Sequence, residues 1–276
     1  MKKTFRSSAL VGTICLLASL SAFSQPVVDG FMKGKGNMDV VGSYNFETFS
    51  KYFASTGKVP ISRTTQSASL FVAAGLTSFL DVQVSVPYVI TKKNFTNFQD
   101  MSVYLKWRFL NKSTDKGTLS FMTTAGFGTP MSNYNTESLY AIGQQASAFD
   151  GRLVAQYFLK TGWFFMAQTG YTLRSEPTPS SIPAAIKVGL AKDKFYFDFY
   201  YDFQYALGGT DYLDGSNSKF TTLGVSYHKL GGTFYKPILK GKAGLAFGAY
   251  SVISGRNVGQ SIGASAAFIY KIKYRK

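Results

Sequence analysis

Cysteine is all but absent. Cys15 is the only one in 276 residues, which excludes a disulfide framework or a thiolate metal site. Histidine is as scarce, with His228 alone, and that leaves a zinc site short of ligands. Long hydrophobic runs are missing as well: past the first two dozen residues, nothing approaches the ~18 uninterrupted apolar residues of a membrane helix. Acids are few, 14 against 30 Lys and Arg, for a formal charge of +16. Such an excess of base fits nucleic acid when it is clustered. Here it is scattered, so anionic lipid head groups, or anions in a pore, are the better counterparts.

The first residues read as an address. Lys2, Lys3 and Arg6 precede an apolar run over 9–20, and Ala22-Phe23-Ser24 supplies a small-x-small cleavage pattern. Residues 1–24 are therefore expected to be a signal peptide, and Gln25 the mature N-terminus. Cleavage would remove Cys15 and take the charge from +16 to +13 through the loss of Lys2, Lys3 and Arg6. Export argues further against nucleic acid as a partner.

What is abundant is aromatic: Phe, Trp and Tyr make up 16% of the chain. In FYFDFYYDFQY, residues 195–205, every second position is aromatic, while Asp198, Asp202 and Gln204 take the opposite phase. Strand side chains alternate between faces, so this is a ribbon with one greasy and one charged face. The pattern recurs. Leu80, Val82, Val84, Val86, Tyr88 and Ile90 oppose Asp81, Gln83 and Ser85; Met101, Val103, Leu105 and Trp107 oppose Asp100, Tyr104 and Lys106. About twelve such segments fit between residues 25 and 276. The middle of their apolar faces carries no Asp, Glu, Lys or Arg, and a lipid-facing Arg or Lys there would cost about 2–4 kcal/mol. The predicted fold is all-β: one transmembrane, antiparallel, up-and-down β-barrel of about 12 strands.

Connections alternate in length. Those near Ser78, 112–117, 160–162 and 192–194 are tight; those over 51–62, 128–145, 175–183 and 208–218 are long and polar. Short periplasmic turns and long external loops are the usual asymmetry. Residues 231–240 read as a long periplasmic turn, the one exception, after a tenth strand with Leu223, Val225 and Tyr227 outward.

Candidate chemistry is thin. Ser226 and His228 share a strand face in this register, near the periplasmic rim. A Ser/His hydrolase pair needs an orienting acid and reaction geometry, and no Asp adjoins them. A solvated lumen or rim histidine is the favoured reading, and the chain is not expected to be an enzyme or to hold a cofactor. Asp198 and Asp202, about 13 Å apart along a strand, are too separated for a glycosidase pair and should pair with inward cations. The inward phase collects Asp100, Lys106, Arg108, Asp150, Arg152, Arg174, Lys187, Asp198, Asp202 and Lys271 as candidate lumen-lining residues, with Lys242 and Lys273. Two readings stay open: a positively biased lumen that favours anions or polar solutes, and a self-neutralising network that fills a narrow barrel.

Residues 75–90 (GLTSFLDVQVSVPYVI), 98–110 (FQDMSVYLKWRFL), the GFGTP element at 126–130 and the KGKG at 33–36 resemble a family of outer-membrane barrels assigned to transport and related to the MetA-pathway proteins of phenol degradation. The chain departs from that pattern at Ser78-Phe79, where the family usually carries a charged pair. The resemblance implies outer-membrane localisation and passive uptake of small, often hydrophobic or aromatic compounds, and brings no set of functional residues. A channel or facilitator among outer-membrane lipids is the expected function. The alternatives are a non-conducting structural or partner-binding barrel and, behind it, a lipid-modifying enzyme using His228.

Overall fold

The computed structural model describes residues 28–92, 95–137, 140–212 and 219–274; the leader and Cys15 lie outside them. Twelve long strands follow one another: β1 Asn37–Phe49, β2 Arg63–Gly75, β3 Leu80–Lys92, β4 Asp100–Ser113, β5 Gly117–Pro130, β6 Ala148–Leu159, β7 Trp163–Arg174, β8 Ser181–Lys192, β9 Phe195–Ala206, β10 Ser226–Ile238, β11 Ala243–Arg256 and β12 Ile262–Lys273. Each is antiparallel to its neighbour, and β12 returns to β1, from Asn37↔Lys273 to Thr48↔Ile262. Closure removes every sheet edge, so backbone N–H and C=O groups are satisfied without water. Strands of 12 to 14 residues, tilted by about 40°, cover roughly the 30 Å of a hydrocarbon core.

Alternation decides which way each side chain points. On β9, Tyr196, Asp198, Tyr200, Asp202 and Gln204 are buried inside, whereas Phe199 is 64% exposed on the outer wall. Leu153, Phe165, Ile186, Phe247 and Ile262 share that outer surface. Aromatics band it at both ends. Trp107 with Phe109 (5.8 Å) and Trp163 with Phe197 (5.9 Å) lie toward the short turns; Tyr88 with Phe98 and Phe127 with Phe149 lie toward the long loops.

The short connections are 76–79, 114–116, 160–162, 193–194 and 239–242. All lie at one rim, together with the start of β1 and the end of β12. Exposed lysines stud this rim: Lys112 and Lys116, Lys160, Lys192 and Lys194, Lys240 and Lys242, then Lys35 and Lys273 beside the chain ends. In outer-membrane barrels the short turns are the periplasmic ones.

The far rim carries the longer connections, two of which fold inward. A small hairpin, Tyr52–Ala54 with Gly57–Val59, pairs with Val258–Gly259, and its Phe53 packs on Tyr227 and Val252 inside the mouth. The 131–147 loop buries Tyr134 and Ile142 against Val89. Buried Arg63 donates to the Ala141 carbonyl at 3.0 Å, holding the loop against β2.

One prediction of the sequence is corrected. Residues 231–238 belong to β10, and the turn is only 239–242. Leu223, read as outward, is buried ahead of the strand; Tyr227 faces inward, and His228 faces out. The misreading came from Gly231, Gly232 and Pro237, which look like turn signals. Gly231 lies opposite Tyr200, whose ring would sit 2.4 Å from a Cβ there. Gly232 similarly accommodates the β9 backbone. Pro237 lies beyond the last pairing of β10 with β9, at Tyr196↔Tyr235, so its missing N–H costs no bond on that side. The same close approach of tyrosine to glycine recurs at Tyr104 on Gly126 and Tyr250 on Gly263.

Gly231→Val should therefore push the Tyr200 ring off its site and destabilise the barrel by about 1–3 kcal/mol. The shift is measurable as a lower midpoint of heat-induced gel-mobility change. Gly42→Ala, where nothing lies within 4 Å of the added Cβ, should leave the midpoint nearly unchanged.

Candidate functional site

The barrel interior is where the polar chemistry collects. Asp29, Asp39, Glu47, Asp81, Asp100, Asp150, Asp198 and Asp202 are met by as many bases: Lys33, Arg63, Lys106, Arg152, Arg174, Lys187, Lys229 and Lys271. Each strand contributes its inward phase, so partners come from neighbouring staves. Lys187 of β8 sits 2.9 Å from Asp198 of β9, and Lys229 of β10 sits 2.6 Å from Asp202. Within β6, Arg152 Nε holds Asp150 at 2.7 Å, and the Thr172 hydroxyl donates to the same carboxylate at 2.6 Å. The Tyr250 hydroxyl donates to Glu47. A buried charge without a partner costs several kcal/mol, so this pairing is a condition of the fold. Of the two readings left open by the sequence, these ion pairs support compensation.

The remaining candidates lie nearer the ends. Asp100 accepts the Tyr134 hydroxyl at the outer mouth. Arg174 donates to Ser181 Oγ at 2.7 Å and to the Pro179 carbonyl. Lys271 stands 5.5 Å from the Tyr235 ring centre near the short-turn end. Arg108 is half-exposed at the short-turn rim, after the β-bulge between Arg108 and Leu110, and donates to the Ser78 carbonyl. Lys242 and Lys273, assigned to the inward phase by alternation, are exposed at that rim.

Residues 28–36 hold the central surprise. Residues 28–33 run inside the barrel, and 34–36 lead along the short-turn rim into β1. Lys106, with no exposed surface, binds Asp29 Oδ1 at 3.0 Å and lies 3.7 Å from Asp81 Oδ2. It also donates to the Phe31 carbonyl. Asp81 accepts the Lys33 backbone N–H at 2.8 Å, and the Lys33 ammonium pairs with Asp39 at 2.6 Å. Between these polar ties, Phe31 packs edge-on against Phe158 and Phe164, and Met32 against Met122, Val154, Met166 and Ala185. Gly30 leaves room for Gln156: a Cβ would stand 2.1 Å from its Oε1.

His228 does not form the pair with Ser226 that a hydrolase would need. It faces outward near the long-loop rim, its Nδ1 shares a hydrogen bond with the Tyr201 hydroxyl, and its ring lies 4.9 Å from Phe203. Ser226 Oγ instead accepts the Ala206 N–H at 2.9 Å.

Sequence reasoning missed the 28–36 segment and Lys229. The first has no alternation to betray it. Its signal is Asp29 and Lys33 flanking an apolar Phe31-Met32, a spacing that puts charge on both sides of a packed apolar pair. Lys229 was lost to the misplaced phase of β10.

A closed, outward-greasy wall around a compensated interior defines a transmembrane β-barrel of the outer-membrane type. The chain belongs to the family described as "Putative MetA-pathway of phenol degradation", whose profile matches residues 35–268. Its fold is similar to that of the COG4313 outer membrane channel from Pseudomonas putida F1, with a TM-score of 0.69, 14% identity, and coverage of 86% of this chain and 96% of that one. It is also similar to the KdgM porin in complex with disordered oligogalacturonate, with a TM-score of 0.51, 7% identity, and 83% and 98% coverage. For the NanC porin the values are 0.51, 11%, 85% and 100%. At these identities the likeness is one of fold. No curated protein matches the sequence.

Lys106→Met should leave Asp29 and Asp81 without their shared cation, at a cost of about 3–5 kcal/mol, and loosen residues 28–36. A spin label at Met32→Cys would report the change: broad, immobile lines in the parent and sharp lines in the variant. Adding Asp29→Asn to Lys106→Met should recover part of the lost stability.

Proposed function

We propose that the chain is a passive channel of the outer membrane for small, uncharged, apolar or aromatic solutes, and that residues 1–24 are removed on export. The observation that carries this reading is the chemistry of the side chains packed around residues 28–36. It is aromatic and thioether-rich, through Phe31, Phe158, Phe164, Met32, Met122 and Met166. Beside it lie neutral polar atoms without protein partners: Thr124 Oγ1, Gln156 Oε1 and the Gln168 amide. Such a surface suits a ring bearing a hydroxyl. With Lys33, Lys106, Arg152, Lys187 and Lys229 each in an ion pair, an ion entering this region would give up its hydration for little return. The inward phase of Lys106, Arg152, Arg174, Lys187 and Lys271 then serves to hold the wall and the inner segment, with Asp100, Asp150, Asp198 and Asp202 as counter-charges. The family description, which names phenol degradation, points to the same solute class. His228, bonded to Tyr201 on the outer wall, is assigned no catalytic part.

Vesicles with a lipopolysaccharide outer leaflet, which slows apolar solutes, test this. The protein should speed entry of a monohydric aromatic alcohol several-fold while a sugar of similar size stays excluded. Equal acceleration of both would contradict the solute class. Deleting residues 28–33 should add ion conductance in planar bilayers. The hairpin and the 131–147 loop folded into the far mouth favour a second reading, a non-conducting barrel. Absence of solute flux and of conductance in both proteins would select it.

A further inference from the structure

We propose that the lysine ring at the short-turn rim binds anionic phospholipid head groups of the membrane leaflet on that side. The inference rests on the membrane reading of the barrel and is independent of what passes through it. Charge is distributed unequally along the barrel axis. Among the described residues, lysines occur at four of the five short turns, just before β1 and at the end of β12, with only Asp115 and Asp193 as exposed acids among them. Among the described residues none of these lysines is in an ion pair within 4 Å. At the far rim, by contrast, the exposed charges among the described residues are Lys51, Lys58 and Lys219 against Glu137 and Glu176.

Strand register distinguishes a lipid from a protein partner. Lys112 is paired with Leu119, Lys192 with Phe195, and Lys236 with Leu245. All three partners belong to the lipid-facing phase, so these lysines stand on the outer wall at the last steps before the turns. From there a stem can lie along apolar surface with its ammonium at the phosphate level, as snorkelling lysines do; the Lys192 ammonium also donates to the Thr161 carbonyl of the adjacent turn. A soluble acidic protein would meet the axial end of the barrel and would gain nothing from lysines set on its flank. The sites also lie on three separate staves, β4, β8 and β10, which suits several lipids better than one docked partner. Juxtamembrane lysines of this kind attract anionic lipid over a Debye length and respond to salt.

The chain's two tryptophans, Trp107 and Trp163, lie on the same outer wall next to this rim and report the lipids there. The full chain is reconstituted in phosphatidylcholine vesicles containing brominated phosphatidylglycerol or brominated phosphatidylcholine, and tryptophan quenching gives the relative binding constant. We expect roughly fivefold enrichment of the anionic lipid at low salt, the factor for about one lysine contact. In K112Q/K192Q/K236Q the enrichment should fall toward one, and the matching Lys→Arg triple should keep it. K51Q/K58Q/K219Q, which loses equal charge at the far rim, should also keep it. Equal quenching by both lipids in the parent, or enrichment that survives the first triple, would overturn the proposal. Retention of the parent but not the triple on immobilised polyglutamate, without lipid preference, would reassign the ring to an acidic protein. No quenching by either lipid would remove the membrane reading itself.

Discussion

The closed wall is the constraint from which the rest follows. In hydrocarbon no backbone polar group can turn to water, so twelve strands must pair all the way round, as β12 does with β1. Once the wall is closed, a charged side chain has two places to go. It can point inward and find a counter-charge, as Lys187 does with Asp198, or it can stand exposed at a rim, as Lys192 and Lys273 do. The middle of the outer wall is left to Phe, Leu, Ile and small residues.

Compensation inside the wall has a structural consequence. A cation such as Lys106, fully enclosed, needs more than one acceptor, and the strands alone offer Asp81. Residues 28–36 bring Asp29 and the Phe31 carbonyl to complete its shell. Electrostatics of the staves thus holds the inner segment, and apolar packing of Phe31 and Met32 fills what remains. The barrel interior is thus occupied by a segment tied through ionic contacts and packed with apolar side chains.

The wall was legible because its period is two, and each β9 or β3 residue announces its face. Closure and twelve strands followed from length. Two things were hidden. Strand β10 was misread because glycine is ambiguous: it marks turns, yet Gly231 is there to admit the Tyr200 ring from the adjacent strand. Only the pairing partner resolves that. The 28–36 segment was hidden because it is neither strand nor turn, and its partners, Lys106, Asp81 and Asp39, become neighbours only when the barrel closes. The inward ions of β6, β8 and β9 stood out as types, but their mutual neutralisation depends on register, which alternation alone does not set.

Nitroxide scanning along β9, with one cysteine at a time from Phe195 to Ala206 in membranes, tests the account most directly. Oxygen, which partitions into lipid, should reach labels at 195, 197, 199, 201, 203 and 205 far better than those between them, with a period of two residues. Accessibility without that period, or protection of the Phe-rich positions by protein contact, would contradict it.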